Sequence, residues 1–387
     1  MGSSSQYRKI TGSKNYLRII GSFDLISLLL IKWTGITPMY REQRSFLGFR
    51  AKPGLCTSWC NNLMKDTVIL EEFISPYGAP FESCHASTIV QGKAGLLAAW
   101  FGGTHEGHPD VGIWLSRNDG DKWSEPVEVA SGVSADGTRH PCWNPVLFQP
   151  RAGPLMLFYK VGPHPTLWKG MMMISDTDGA TWSAPLRLPE GILGPIKNKP
   201  IELPDGTILC GCSTENGGWQ IHFEFVGKSA DNWRRTEPVP GSVRFKAIQP
   251  ALLQHTDGRI QALCRSTSGN ITQTWSDDGG ENWTPMTRTE LPNPDAGIDA
   301  VTLRDGRHVL AYNHNTNDGE PPYGRDRLNI AVSSDGKRWS AVVELRQAKE
   351  SWEYPAVIQT TDDLIHISCT FSRRLIKHLV LNPAELA

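Results

Sequence analysis

The sequence predicts an all-β fold: a six-bladed β-propeller over residues 71–387, preceded by a poorly structured N-terminal extension over residues 1–70. Two internal repeats predict the propeller, one of Trp-bearing turns and one of apolar strands. Both recur every 50 to 59 residues, and helical periodicity is almost absent. Because about fifty residues make one four-stranded blade, six such units close a ring that leaves only short strand edges.

The first repeat is a turn that contains Ser, Asp or Asn, usually Gly, and ends in Trp. Five segments match it, two of them incompletely: Ser116–Trp123, Ser175–Trp182, Ser229–Trp233, Ser276–Trp283 and Ser333–Trp339. Each follows a run of β-forming residues, and Asp-Gly pairs favour tight turns. We therefore expect these boxes to join neighbouring strands, with the Trp packed under the turn in a structural role.

The second repeat is a strand that opens with one polar residue, then Pro or Ala, then apolar residues. The six opening residues are His85, Asn144, Lys199, Gln249, Asp299 and Tyr354. Asp-Gly turns such as Asp205-Gly206 follow most of these strands and lead into a second strand. These runs predict the innermost strand of each blade, so the six polar residues should surround the mouth of the central channel.

The overall composition excludes some partners. The chain has 39 Lys and Arg against 40 Asp and Glu, a balance that gives no reason to expect nucleic-acid binding. The best apolar run, Leu25–Ile31, is far too short to cross a membrane, so no membrane partner is expected. The first 65 residues hold ten Lys or Arg and two acidic residues. This pattern is typical of an organelle transit peptide or a disordered leader, and favours a cytoplasmic or organellar location over secretion.

The eight cysteines do not form a disulfide pattern. Six of them are scattered through apolar strands, which indicates free buried thiols in a reducing compartment. Cys56 and Cys60 have no His or further Cys near them, so a zinc site is not expected. We expect no metal and no other cofactor.

Polar residues on the second strands extend the expected site at the channel mouth. They are Lys160, Ser213, Arg265 and Asn313 with His314. Because six different residue types occupy equivalent first-strand positions, a site for a polar ligand is the favoured interpretation. The alternative is that these residues only solvate the channel.

The Trp-bearing boxes, and the pattern Arg325-x-x-Leu-x-Ile-x-x-Ser-x-Asp-Gly followed by Tyr354, resemble the sialidase (neuraminidase) superfamily, in particular its BNR/Asp-box repeat proteins. The resemblance covers residues 75–385. It implies three arginines that bind a substrate carboxylate, a Tyr nucleophile activated by Glu, and an Asp acid/base. Arg265 and Arg325 match two of the arginines, and Tyr354 matches the nucleophile. Asp110 lies where the acid/base is expected, with Glu106 as a second candidate.

Two positions depart from the family pattern. His85 stands in place of the first arginine, and Gln249 in place of the activating Glu. A neutral amide cannot take up the phenolic proton, so Asp299 or His85 would have to activate Tyr354. His85 and Tyr354 would alternatively act together as an acid/base pair.

Three functions remain open from the sequence. The first is an exo-glycosidase that hydrolyses a terminal acidic sugar, a sialic or related keto-deoxy acid, from a glycan. The second is a uronate-directed lyase or unusual hydrolase that uses His85 and Tyr354. The third is a non-catalytic propeller that binds glycans. The expected substrate-binding residues are Arg265, Arg325, Lys199, Gln249, Asn144, Lys160 and His314.

Overall fold

A computed structural model describes residues 67–75, 78–227, 231–347 and 349–386, and it confirms the six-bladed β-propeller. Each blade is a four-stranded antiparallel sheet. Blade 1 contains β2 (Ser83–Gln91), β3 (Leu96–Gly103), β4 (Gly112–Asn118) and β5 (Val127–Ala130). Blade 2 contains β6 (Cys142–Phe148), β7 (Leu155–Val161), β8 (Lys169–Ser175) and β9 (Leu186–Arg187). Blade 3 contains β10 (Ile201–Glu202), β11 (Ile208–Thr214), β12 (Gln220–Val226) and β13 (Arg234–Arg235).

The second half of the propeller repeats this order. Blade 4 contains β14 (Ala247–Gln254), β15 (Ile260–Ser266), β16 (Asn270–Ser276) and β17 (Thr287–Pro292). Blade 5 contains β18 (Asp299–Thr302), β19 (His308–Tyr312), β20 (Arg327–Ser333) and β21 (Ser340–Arg346). Blade 6 contains β22 (Trp352–Gln359), β23 (Ile365–Phe371), β24 (Leu375–Leu381) and, as its outermost strand, β1 (Val68–Phe73). The described residues also include the short α-helix α1 (Ser242–Phe245) and two 3₁₀ turns, Pro165–Leu167 and Pro383–Glu385.

Strand β1 closes the ring, because it pairs with β24 in the last blade although it comes first in the chain. Glu71 forms an ion pair with Lys377, and Glu72 meets His378 at 2.9 Å. The expected boundary at residue 70 therefore falls inside a propeller strand. The proposed leader, apart from its last residues, and Cys56 and Cys60 lie outside the described residues. No helix among the described residues is long and apolar enough to span a membrane.

The Trp-bearing boxes have the expected structural role. In the box of blade 4, Ser276 Oγ accepts a hydrogen bond from Gly280 N at 2.9 Å, and Trp283 Nε1 donates to Gly280 O at 2.8 Å. The Trp283 ring stacks on Phe223 of the neighbouring blade, with ring centroids 3.7 Å apart. The apolar clusters of the core lie between successive blades in the same way. The box beginning at Ser229 is only partly described, since residues 228–230 are outside the described ranges.

Bulges interrupt four inner strands near the expected site. Asn144, Gln249 and Tyr354 adopt left-handed backbone conformations there, with φ of 36°, 57° and 51°, and the ladder skips at each of these points. In the first blade the left-handed residue is Ala86 (φ 56°), not His85. The repeat alignment is therefore one residue out in blade 1, because a polar residue before Ala resembles a polar residue before Pro in sequence.

Candidate functional site

Tyr354 lies at the centre of a polar cluster at the inner strands. Its side chain is largely buried, and its left-handed backbone at the β22 bulge sets the direction of the phenol. The phenol oxygen accepts hydrogen bonds from Arg265 Nη1 at 2.7 Å and from Gln249 Nε2 at 3.1 Å. Two donors, one of them cationic, therefore converge on this oxygen, where they would stabilise negative charge.

The imidazole ring of His85 packs against the ring of Tyr354. Its ring centroid lies 4.2 Å from that of Tyr354, and its Nδ1 is 3.1 Å from Thr370 Oγ1. Burial, followed by the charge of Arg373, lowers the pKa of His85 well below its ordinary value. The imidazole is therefore neutral at physiological pH, and its Nε2 is buried with no hydrogen-bond partner among the described residues.

Arg265, on β15, connects the phenol to an acidic residue. Its Nε donates to Asp295 Oδ1 at 2.7 Å, while its guanidinium lies 5.3 Å from the centre of the Trp219 ring. Burial opposes the charged form, but Tyr354 and Asp295 outweigh it and raise the pKa of Arg265 above its ordinary value. Arg265 is therefore a permanent cation beside the phenol.

Arg325 and Arg373 form the next part of the site through a shared carboxylate. Glu353 Oε2 accepts from Arg325 Nη1 at 2.6 Å and from Arg373 Nη2 at 3.2 Å. Burial would raise the pKa of Glu353, but His85 and the two guanidinium groups outweigh it and lower the pKa to about 2. Arg325 Nη2 also donates to Asp295 O at 2.9 Å. Asp295 thus links Arg325 to Arg265, so the structure brings the two predicted arginines together.

A cleft of about 360 Å³ opens over these arginines. Its lining includes Arg325, Arg373, Glu353, Asp295 and the exposed ring of Tyr323. Cationic donors beside an aromatic surface suit an anionic or sugar-like ligand.

The loop between β3 and β4, residues 104–111, reaches Arg373 at the cleft through Glu106, the second acid/base candidate, and not through Asp110. Asp110 folds back on its own loop, accepting from Thr104 N at 3.1 Å and Thr104 Oγ1 at 2.6 Å. These bonds and one from His108 outweigh the effect of burial and lower the pKa of Asp110 to about 2. Glu106 instead forms an ion pair with Arg373.

Residues 197–199, a short segment before β10, connect the inner strands that carry the site. Lys197 Nζ donates to Ile298 O at 2.9 Å and to Pro355 O, directly after Tyr354. Asn198 Nδ2 donates to Gln249 O at 2.9 Å.

The last residue of the segment, Lys199, donates to Asp299 Oδ2 at 2.9 Å. That same oxygen accepts from Val357 N at 2.8 Å, so Asp299 joins blade 5 to blade 6. The segment and Asp299 therefore hold together the inner strands that present Gln249 and Tyr354.

The structure does not bring every predicted residue to this cluster. Lys160 is fully buried and donates to Pro195 O, and burial lowers its pKa to about 8. His314 pairs with the Tyr312 hydroxyl, and Asn313 Nδ2 donates to two backbone carbonyls of blades 5 and 6. Asn144 is buried at the bulge of β6, and no hydrogen bond in the described part of the chain links it to Tyr354.

One group of side chains has a composition that metals favour. Ligand atoms of Cys212, His222 and Glu224 lie within 4.8 Å of one another, and all three residues are buried. Glu224 accepts from His222 Nε2 at 2.9 Å and from the backbone amide of Gly194 at 2.7 Å, and Cys212 donates to Gly194 O at 2.9 Å. Burial raises the pKa of Cys212 well above its ordinary value, so the thiol keeps its proton. Cys212, His222 and Glu224 therefore form a buried hydrogen-bonded network with a structural role.

Sequence reasoning missed four residues that shape the site: Arg373, Asp295, Lys197 and Asn198. None belongs to either repeat. Arg373 lies in the turn between β23 and β24 with a φ of 55°, a conformation that no Gly or Asn announces in the sequence. Glu353 precedes Tyr354 on β22, and because side chains alternate along a strand its carboxylate contacts the two arginines and not the phenol.

Comparisons with known proteins agree with this architecture. A family model described as the BNR repeat-like domain matches residues 94–367. The NanB sialidase of Streptococcus pneumoniae is 12% identical, with a TM-score of 0.64 over 82% of this chain and 71% of that chain. The leech intramolecular trans-sialidase is 14% identical, with a TM-score of 0.65 over 82% and 71%. The intramolecular trans-sialidase of Ruminococcus gnavus is 14% identical, with a TM-score of 0.63 over 80% and 96%.

At these identities the likeness to the three structures establishes the shared fold. Among curated proteins, none matches the sequence significantly.

Proposed function

Because the chain belongs to the BNR repeat-like domain family, we propose that it is a sialidase-like exo-glycosidase that hydrolyses a terminal acidic sugar from a glycan. The sugar would be a sialic acid or a related keto-deoxy acid. The observation that supports this most directly is the pair of hydrogen bonds from Arg265 and Gln249 to the Tyr354 oxygen.

Tyr354 would act as the nucleophile without a carboxylate base beside it. Its oxygen would bond to the anomeric carbon as the bond to the leaving oxygen breaks. The phenolic proton would pass to the neutral imidazole of His85, which packs on the phenol ring, and from there to the leaving oxygen. Water would then attack the anomeric carbon and return a proton to the phenol oxygen as that bond breaks, which releases the sugar. Arg265 and Gln249 would stabilise the charge on the phenol oxygen during the first step, so electrostatic stabilisation assists proton transfer to a weak neutral base.

The cleft beside Tyr354 would hold the carboxylate of the sugar. Arg325 and Arg373 line it, and Arg325 Nε is buried with no partner among the described residues. Planar guanidinium groups bind carboxylates through paired hydrogen bonds, which supports an acidic rather than a neutral ligand. The solved leech and Ruminococcus gnavus proteins hold 2,7-anhydro-Neu5Ac and oseltamivir carboxylate, which is consistent with this choice of ligand.

The test is turnover of an aryl α-sialoside by the full chain and by Tyr354→Phe. An aryl leaving group departs without protonation, so the assay isolates the nucleophile from any acid. We expect Tyr354→Phe to lower kcat by a factor of about 10³ or more, since it removes the attacking oxygen. Tyr159→Phe is the matched control, because the Tyr159 hydroxyl is buried without a partner among the described residues and its loss should not change turnover.

The outcomes separate the three functions. Turnover that survives Tyr354→Phe would contradict the nucleophile assignment. If the unmodified chain has no activity on aryl sialosides, the proposed hydrolysis is wrong, and uronate-containing oligosaccharides become the next substrates. Binding of acidic glycans without turnover of either class would indicate a binding propeller.

A uronate lyase is the second candidate, and the contact of His85 with Tyr354 favours it. A neutral imidazole with a free Nε2 would accept the proton next to the uronate carboxylate, and the phenol would return a proton to the leaving oxygen. Elimination leaves a conjugated double bond, so an increase in ultraviolet absorbance on uronate oligosaccharides would distinguish this reaction from hydrolysis.

A further inference from the structure

We infer that Glu106 is a specificity-determining residue: its carboxylate occupies Arg373 in the free protein, and the carboxylate of an anionic ligand takes its place. The inference rests on the proposed function for one step, the assignment of the cleft over Arg325 and Arg373 as the ligand site. Beyond that function, it states that the carboxylate of an acidic ligand replaces the carboxylate of Glu106 on Arg373.

Arg373 holds two carboxylates in different surroundings. The Glu353 side chain is 5% exposed and is fixed further by Arg325 and by Ser351 Oγ, which donates to Oε1 at 2.8 Å. The Glu106 side chain is 40% exposed, and Arg373 is the one hydrogen-bond partner of its carboxylate among the described residues. Exposed ion pairs are screened by water and contribute little, whereas removing a buried partner leaves an uncompensated charge. Glu106 is therefore the exchangeable partner and Glu353 the permanent one.

The loop that presents Glu106 is held at its base by hydrogen bonds that do not involve the Glu106 side chain. Asp110 ties the base through Thr104, and Arg139 Nη2 donates to Asp110 O at 2.8 Å. At the tip, Gly107 has a φ of 84°, and the Glu106–Arg373 pair is the side-chain hydrogen bond by which the tip reaches blade 6. Release of that one pair would uncover Arg373 without disturbing the bonds at the base.

The charges around the cleft match a one-for-one exchange. Arg325, Arg373 and Arg265 supply three positive charges, and Glu353, Glu106 and Asp295 supply three negative charges. With Glu106 in place the set is neutral and offers an incoming anion no net attraction. When Glu106 leaves, one positive charge is uncovered, which one ligand carboxylate neutralises. A neutral sugar ester gains nothing from this exchange.

The experiment measures binding to the full chain by calorimetry, with N-acetylneuraminic acid and its methyl ester as probes. Glu106→Gln removes the competing carboxylate but keeps the side-chain shape. We expect its Kd for the acid to fall about three- to tenfold, as for the loss of one exposed ion pair, and its Kd for the ester to stay unchanged. Glu128→Gln is the matched control. It removes the same charge from the same blade, at an exposed pair with Arg139 at 3.2 Å, and should change neither Kd.

Unchanged or weaker binding of the acid by Glu106→Gln would overturn the inference, as would equal tightening for acid and ester. Tightening in Glu128→Gln as well would also overturn it, since a long-range charge effect would then explain the gain. Failure of the proposed hydrolysis is distinguishable, because binding of the free acid requires no turnover. If neither the unmodified chain nor Glu106→Gln binds the acid, the cleft is not a carboxylate site and the exchange is wrong whatever the activity.

Discussion

Arg265 and Lys160 occupy matching positions on the second strands of blades 4 and 2, yet they have different surroundings. Both are buried basic residues seven positions beyond a glycine of the preceding turn. Arg265 reaches Tyr354 and Asp295 at the inner end of blade 4. Lys160, in blade 2, donates to Pro195 O and lies close to the buried Glu224 network of blade 3.

This difference shows that the repeat determines the backbone position of a side chain, whereas the neighbouring segments determine its interaction partners. Arg265 faces the Tyr354 phenol and the Asp295 carboxylate. In contrast, Pro195, in the segment before blade 3, accepts a hydrogen bond from the buried ammonium group of Lys160 through its carbonyl oxygen. The candidate site is therefore formed mainly by blades 4 to 6 with His85 of blade 1, while Lys160 of blade 2 and the Glu224 network of blade 3 are buried structure.

Loss of the Arg265 guanidinium group should have the larger effect on turnover of these two buried basic residues. We expect Arg265→Met to lower kcat on an aryl sialoside about 10²- to 10³-fold, because it removes a cationic donor from the reacting oxygen. The measurement is steady-state kinetics beside a thermal unfolding curve. The control is Lys160→Met, which should keep kcat within about threefold. A similar loss of kcat in both variants would contradict the division between the two sides.

The buried charge of Lys160 should make the free energy of unfolding depend on pH. Burial lowers the pKa of Lys160 from 10.5 to about 8, so below pH 8 its charge costs about 3 kcal/mol of folding free energy. Between pH 8 and 10.5 the unfolded chain holds this proton and the folded chain does not, so this cost disappears as pH rises. The unfolding free energy of Lys160→Met minus that of the unmodified chain should therefore fall by about 3 kcal/mol across this range.

Denaturant unfolding at several pH values measures this difference, and ionisation of the buried thiols cancels because both proteins contain them. Parallel pH curves for the two proteins would show that Lys160 is not a strained buried cation. The result does not depend on any assay of activity.

The fold was predictable because its signals are periodic. Two repeats with a common spacing identified the blades, and the boxes form the turns that their Ser, Gly and Trp residues indicated. Two features were not visible in this way. Strand β1 lies before the first repeat and pairs with the end of the chain. The bulge at Ala86 shifts the first blade by one residue, and bulges follow from backbone pairing rather than from residue type.

The candidate site was predictable only where it coincided with the repeats. Tyr354, Gln249 and Arg265 stand on repeat positions, and the structure brings them within hydrogen-bonding distance. Arg373 and Asp295 belong to connecting segments, and their meeting depends on loop paths that no local pattern encodes. Residues from connections therefore complete a site whose centre the periodic strands supply.

The smallest expected effect concerns Asp110, the acid/base that the family resemblance suggests. The hydrogen bonds of its carboxylate stay within its own loop, and a pKa of about 2 keeps it ionised at neutral pH, so it has no proton to donate. We expect Asp110→Asn to change kcat/KM less than about threefold on both an aryl sialoside and 3′-sialyllactose, because it only loosens the base of the loop. An acid role would instead lower turnover of sialyllactose alone, since only the sugar leaving group needs a proton. Kinetics on the two substrates side by side therefore decide whether this loop supplies a proton or only holds Glu106 over Arg373.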